Sequence, residues 1–173
     1  VLQQREARFR SLVQHATDMV CIVDAWGNCV YQSPSVEQQL GYTPADFIGT
    51  SALAWIHPDE QPAMQAFLTD IAAQPEAVRP YTYRCRHADG SLRWIEASFT
   101  NLLAEPAIQG IVINARDITE RRRLEHEVSH QALHDALTGL PNRILMQDRI
   151  EHALLRARRD GTSVAVLFVD LDN

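Results

Sequence analysis

Tyr81-Thr82-Tyr83-Arg84-Cys85-Arg86, followed by Asp89-Gly90 and then Leu92-Arg93-Trp94-Ile95-Glu96-Ala97-Ser98-Phe99, is the stretch that decides the fold. The first run alternates bulky and charged residues, the pattern of a half-buried antiparallel strand. Asp-Gly supplies a tight hairpin turn, so the chain from Leu92 to Leu103 pairs back on the first run. After Ala104-Glu105-Pro106-Ala107, the residues from Ile108 to Arg116 predict a last strand. Upstream, Met19 to Asp24 has the β-branched content of a strand, Trp26-Gly27-Asn28 turns the chain, and Cys29-Val30-Tyr31-Gln32 returns it as a hairpin. Between these groups lie short helices. Ser33-Pro34 and Thr43-Pro44 each place a hydroxyl at an N-cap and proline at the first helical position. Gly41 and Gly49 sit where helix stops are expected. A longer helix is predicted from Asp59 to Ala73, with Met64, Phe67, Leu68 and Ile71 inward. Two strands, several helices and three strands make an α+β fold: a five-stranded antiparallel sheet with helices on one face. Residues 1–18 read as an amphipathic helix, with Leu2, Phe9, Leu12, Val13 and Ala16 near one face.

The 173 residues suffice for one full domain and part of another. A 46% hydrophobic and 22% charged composition is that of a soluble globular protein. The net charge of -6 argues against nucleic acid as a partner. No apolar run approaches the roughly 20 residues that span a bilayer. The N-terminus lacks a signal-peptide pattern, and the missing initiator Met fits a fragment whose upstream part could carry a membrane anchor. Cys21, Cys29 and Cys85 are odd in number and lack metal-ligand spacing, so they are expected to be reduced and packed in strands of a cytoplasmic protein.

Six local strings, in order, resemble the PAS fold over roughly residues 8 to 119. Asp24-Ala25-Trp26-Gly27-Asn28 looks like its first hairpin turn. Leu40-Gly41-Tyr42-Thr43-Pro44 with Phe47-Ile48-Gly49 resembles the helical segment that follows, and Ile56-His57-Pro58-Asp59-Glu60 the entry to the long helix. His87-Ala88-Asp89-Gly90-Ser91, with Trp94 and Glu96, resembles the second hairpin. Gly110 through Asp117-Ile118-Thr119 resembles the closing strand and its exit. The resemblance implies a pocket between sheet and helices, with Trp55, Met64, Phe67, Tyr83 and Ile113 as candidate lining; an ordinary core without ligand is the alternative. Haem-binding relatives use a histidine on the long helix. Met64 takes that place here, which argues against haem, and His57 is expected to cap or pack. The reactive-cysteine string of light-sensing flavin relatives is absent, which leaves only non-covalent FAD open.

Asp117-Ile118-Thr119-Glu120 has the form of a capping box for a new helix. Leu124, Val128, Ala132 and Leu133 give that helix a narrow apolar stripe, able to pair two chains in parallel when anchored by folded domains. Interleaved Glu120, Glu125 and Glu127 make Arg121 to Arg123 part of a salt-bridged helix face rather than a nucleic-acid patch. His126, His130 and His134 lie at helical spacing, and no metal is expected there because no acidic or cysteine ligand is placed with them. Ser129-His130-Gln131-Ala132-Leu133 lacks the acidic residue and Arg-Thr-Pro that follow the phosphoacceptor of a sensor histidine kinase, leaving that reading a poor second.

His134-Asp135-Ala136-Leu137-Thr138-Gly139-Leu140-Pro141-Asn142-Arg143 resembles the entry motif of GGDEF domains, the diguanylate cyclases that make cyclic di-GMP from GTP. On composition alone its centre is a turn. Asp135 and Arg143 are candidates for a charge-assisted clasp across it. The helix that follows is expected to bury Met146, Ile150, Ala153, Leu154 and Ala157, with Gly161 ending it. Ser163 to Val169 reads as a central strand, covered on both faces. Phe168-Val169-Asp170-Leu171-Asp172-Asn173 resembles the family's first metal-binding strand. By that resemblance Asp170 and the Leu171 carbonyl bind Mg²⁺ on the phosphates of GTP, and each nucleotide's 3′-hydroxyl attacks the α-phosphate of the other. The guanine-binding residues, the Gly-Gly loop and the second metal ligand are expected beyond Asn173. One carboxylate is too few for two-metal chemistry, so this polypeptide itself is expected to be inactive and to hold no cofactor.

The domain plan is a helix at 1–18, a PAS sensor at 19–118, a signalling helix at 119–134 and the first part of a GGDEF domain at 135–173. Asp117, Ile118, Thr119, Asp135 and Arg143 are the expected signalling residues. The parts predict a homodimer, joined through the N-terminal and signalling helices, that controls cyclic di-GMP synthesis, with either a small-molecule ligand or an ordinary core where the pocket would lie. The alternative is a PAS dimerisation module before a degenerate GGDEF output and a phosphodiesterase domain.

Overall fold

In the computed structural model, residues 17–135 and 137–167 are described. The chain divides into two compact units between Glu120 and Arg121. The expected helix at 1–18, apart from its last two residues, lies outside the described residues, as do Asp170 and Leu171.

Strands β1 (Met19–Val23) and β2 (Cys29–Gln32) form the first hairpin, and β3 (Val78–Arg86), β4 (Leu92–Leu102) and β5 (Gly110–Asp117) follow the helical segment. All pair antiparallel in the order β2-β1-β5-β4-β3. The first and last strands are therefore neighbours in the middle of the sheet. Gly110 allows this closure: a Cβ there would lie 2.6 Å from Ile22 Cγ2 and 2.8 Å from the Val23 carbonyl. The predicted start of β5 at Ile108 gives way to Gly110, because Ile108 and Gln109 both donate to the Glu105 carbonyl and close the preceding turn.

The connecting segment holds α1 (Ser35–Leu40), α2 (Pro44–Phe47) and α3 (Gln61–Ala72), with 3₁₀ turns at Ala52–Trp55 and Pro58–Glu60. Thr43 caps α2 as expected, and Asp46 Oδ2 accepts from both the Thr43 N–H and its hydroxyl. At α1 the cap falls on Pro34 rather than Ser33. The Ser33 hydroxyl is taken up elsewhere, accepting from Val20 N–H at 2.8 Å and meeting Ser35 Oγ at 2.7 Å. The long helix starts two residues late because Pro58–Glu60 forms a 3₁₀ turn, capped by His57 Nδ1 accepting from Asp59 N–H. Met64, Phe67, Leu68 and Ile71 of α3 are buried against the inner sheet face, where Ile95, Ala97, Phe99, Ile111, Ile113 and Ala115 are also buried. Burial of this apolar surface drives the two layers together.

The second unit carries most of α4 (Thr119–Leu133) and all of α5 (Arg143–Asp160). On α5 only Ala157 is fully buried, while Ile150 and Ala153 are intermediate. Met146 and Leu154, expected inside, remain 38% and 47% exposed. The predicted strand from Ser163 is absent over residues 162–167, which adopt no regular structure. A strand exists only through a neighbour's hydrogen bonds, and no described residue pairs with this run.

Candidate functional site

A cavity of about 60 Å³ lies between the inner sheet face and the helices. Alternation places Met19 and Cys21 of β1, Tyr83 and Cys85 of β3, Ile95 and Phe99 of β4, and Ile113 and Ala115 of β5 on its floor. Val36 and Leu40 of α1 and Met64 and Leu68 of α3 close it above. Phe47 and Trp55 stack with ring centroids 4.1 Å apart, and Tyr42 packs edge-on against both. Trp55 Nε1 donates to Thr50 Oγ1 at 3.1 Å, which fixes the indole at the rim.

Trp55, Met64, Tyr83 and Ile113 line one cavity, whereas Phe67 does not. Its ring sits 4.6 Å from Tyr81 and 4.9 Å from Phe99, under the Arg79 guanidinium. Helical spacing shows that Phe67 faces inward, but not whether it meets a gap or a neighbour. Two polar features of the cavity escaped the sequence reading. Gln32 is 5% exposed and lines the cavity, and its amide hydrogen-bonds to no described residue. It sets one amide against an otherwise apolar lining. Cys21 and Cys29 also line it, with Sγ atoms 3.6 Å apart. Alternation from Cys29 sends Gln32 outward; the bulge in this hairpin turns both toward the cavity, so the local sequence carried no signal for Gln32.

Haem and flavin do not fit this cavity: sites for molecules of that class occupy roughly 300–1,000 Å³, and no histidine lines it. Desolvation raises the Tyr83 phenol well above its usual range, and burial pushes the Cys85 thiol up to about 12. Both therefore stay neutral and serve as packing groups.

The second feature is the junction where the sheet ends and α4 begins. Ile118, 4% exposed, donates from its N–H to the Trp94 carbonyl at 2.8 Å. The Trp94 N–H donates to Thr119 Oγ1 at 2.8 Å, and Asp117 Oδ1 accepts from the Thr119 N–H at 2.7 Å. The Asp117 N–H donates to Gln39 Oε1 at 2.8 Å, and Gln39 Nε2 donates to the Thr17 carbonyl. Beside them Arg116 and Asp18 form a two-pronged pair at 2.7 and 2.9 Å. Gln39 stands on α1, between the cavity-lining Val36 and Leu40. One short helix therefore touches both the cavity and the start of α4.

In the second unit Asp135 Oδ1 accepts from the N–H groups of Leu137 and Thr138 and from the Thr138 hydroxyl. These donors, the Thr138 N–H foremost, hold its carboxyl below the usual range. Asp135 thus stabilises its own turn, and the expected clasp with Arg143 is not among the contacts of the described residues. The cross-turn ties are instead Asn142 Nδ2 donating to the Ala132 carbonyl at 2.8 Å and Asn142 N–H donating to Leu133 at 2.8 Å.

Comparison with known proteins divides the chain in the same way. A family model described as the PAS fold matches residues 29–109, and one described as the diguanylate cyclase GGDEF domain matches residues 132–173. The protein y4lL of Sinorhizobium fredii, itself uncharacterized, is 33% identical over 99% of this chain and 21% of its own length. The probable diguanylate cyclase DgcE of Escherichia coli is 25% identical over 99% of this chain and 16% of its own length. This chain thus spans about a fifth or less of these relatives. Among solved structures, the PAS domain of an HTR-like protein from Haloarcula marismortui matches with a TM-score of 0.59 at 21% identity, over 68% of this chain and 94% of that one. That likeness carries the fold.

Proposed function

Because the chain is a PAS domain followed by the first part of a GGDEF domain, a module of cyclic di-GMP signalling, we propose that it senses a small molecule and sets the output of a diguanylate cyclase. The carrying observation is α1. Val36 and Leu40 face the cavity, and Gln39 accepts from Asp117 at the root of α4. A ligand that seats a polar atom against Gln32 displaces α1 or stiffens it, and either change reaches the Gln39–Asp117–Thr119 contacts. Such a ligand biases the junction only by its differential affinity for two arrangements. The cavity volume restricts it to a few heavy atoms unless the helices part.

The apolar stripe of α4 supports a parallel homodimer: Leu124 is 48% and Val128 66% exposed. A dimer of such helices brings two cyclase domains into or out of facing positions. In the complete enzyme Asp170 and the Leu171 carbonyl would hold Mg²⁺ on GTP, where the metal offsets the charge that develops at the α-phosphate. A cytoplasmic location suits this reading, because GTP and a thiol-reducing environment are found there. Among the described residues no helix is long and apolar enough to cross a membrane.

The test is cyclic di-GMP formation from GTP and Mg²⁺ by the full-length protein, compared with its Gln39→Ala variant. We expect synthesis in the parent, and in the variant a changed basal rate with unchanged GTP affinity. A parent that only hydrolyses cyclic di-GMP, or a variant with the parent's rate, overturns the reading.

A further inference from the structure

Cys21 on β1 and Cys29 on β2 have their sulfurs 3.6 Å apart. They lie diagonally across the hairpin, at the register shift between Ile22 and Val23. Both face the cavity described above. Cys29 Sγ also donates to the Tyr31 carbonyl at 3.3 Å. We propose that this pair is a modification site, a dithiol that an oxidant of the hydroperoxide class converts to an intramolecular disulfide and that a thiol reductant restores.

Three observations carry this. First, the sulfurs are already in van der Waals contact at 3.6 Å, with about 2.05 Å the bonded distance. Second, the bulge leaves the hairpin locally irregular, and the adjoining space of about 60 Å³ gives a sulfur room to swing and admits a molecule the size of hydrogen peroxide. Third, the two thiols are chemically unequal. The S–H that Cys21 donates holds the Cys29 thiol below its usual value, while the same contact and burial raise Cys21. Of the two, Cys29 is therefore the easier to ionise to the reactive thiolate. Cys85 lines the same cavity but is raised to about 12 by burial, which makes it an internal control.

The chemistry balances with the peroxide as two-electron oxidant. The Cys29 thiolate attacks one peroxide oxygen; an S–O bond forms, the O–O bond breaks, and the departing oxygen takes a proton to leave as water or alcohol. Cys29 is then a sulfenic acid. The Cys21 sulfur attacks the Cys29 sulfur; the S–S bond forms, the S–O bond breaks, and hydroxide leaves with the Cys21 proton as water. Two thiols are oxidised and one peroxide is reduced. The new bond joins β1 to β2, and β1 pairs with β5, the strand that leads into α4. The proposal stands apart from the ligand and cyclase readings and does not require them.

The full chain, reduced and then treated natively with hydrogen peroxide, is alkylated and mapped by mass spectrometry. Accessible thiols after unfolding should fall from three to one, with a linked peptide holding Cys21 and Cys29, and dithiothreitol should restore all three. In Cys21→Ser the link should vanish and Cys29 should become trappable by a dimedone-type reagent, whereas Cys85→Ser should leave the link intact. Three alkylatable thiols after peroxide, a link that includes Cys85, or a link only between molecules overturns the proposal. The wild-type map decides it even if the Cys21 variant does not fold.

Discussion

One carboxylate, that of Glu60, joins the entry of the long helix to β3. It accepts from the Arg84 backbone N–H at 2.7 Å and from Arg84 Nε at 2.6 Å. Burial alone would raise its pKa, but the Arg84 donors and charge outweigh this and hold it below the ordinary value. Stability from this group is therefore fully present above its unfolded value, roughly 4.3, and is lost as pH falls through the lower folded value. Glu60→Gln should cost about 1–3 kcal/mol at neutral pH and remove this part of the acid-limb slope, read from urea melts at pH 7 and at about pH 2.5, below the folded value. An equal loss at both pH values would refute the assignment. Nothing in the local sequence marked Glu60 for Arg84, because the partners are far apart in the chain and meet only through the fold. By contrast, Thr43 as the cap of α2 was legible, since it stands directly before Pro44 in the chain.

Among elements, α5 shows what local sequence can and cannot say. Its start is written in Asn142, whose Oδ1 accepts from the N–H groups of Ile144 and Leu145 at 3.0 and 3.2 Å. Its end is written in Gly161, left-handed at φ 66. Removing the cap by Asn142→Ala should lower stability by about 1 kcal/mol and reduce helicity after Leu140, as followed by amide exchange of the first turn. Unchanged protection there would count against the cap. The inward face of the same helix was legible only as a pattern. Met146 and Leu154 are spaced for burial, yet spacing cannot supply the surface that would cover them. The run from Ser163 failed for the same reason: apolar continuity predicts a strand that still needs a paired neighbour. The strands of the first unit were readable because each finds its partner within the unit, through the turns at Gly27 and Gly90 or the closing β1–β5 ladder.

For the whole molecule, the proposal of a homodimer rests on α4. Arg121–Glu125 and Arg123–Glu127 pair along its flank and leave Leu124 and Val128 uncovered. The double variant Leu124→Glu, Val128→Glu should convert dimer to monomer by analytical ultracentrifugation, with the thermal unfolding of the PAS unit nearly unchanged. A variant that still sediments as a dimer would move the interface elsewhere. The sheet order was only partly foreseeable. Five antiparallel strands followed from alternation and turns, but that β5 slots between β1 and β4 depends on Gly110, whose missing side chain looks unremarkable until the strands are assembled. The central pairing of β1 with β5 also puts Asp18 and Arg116 hand in hand. The polypeptide thus departs and returns through a single gate. A fold of that kind is a detour from a through-going chain, so evolution can splice it in, duplicate it or remove it with little disturbance to the traffic on either side.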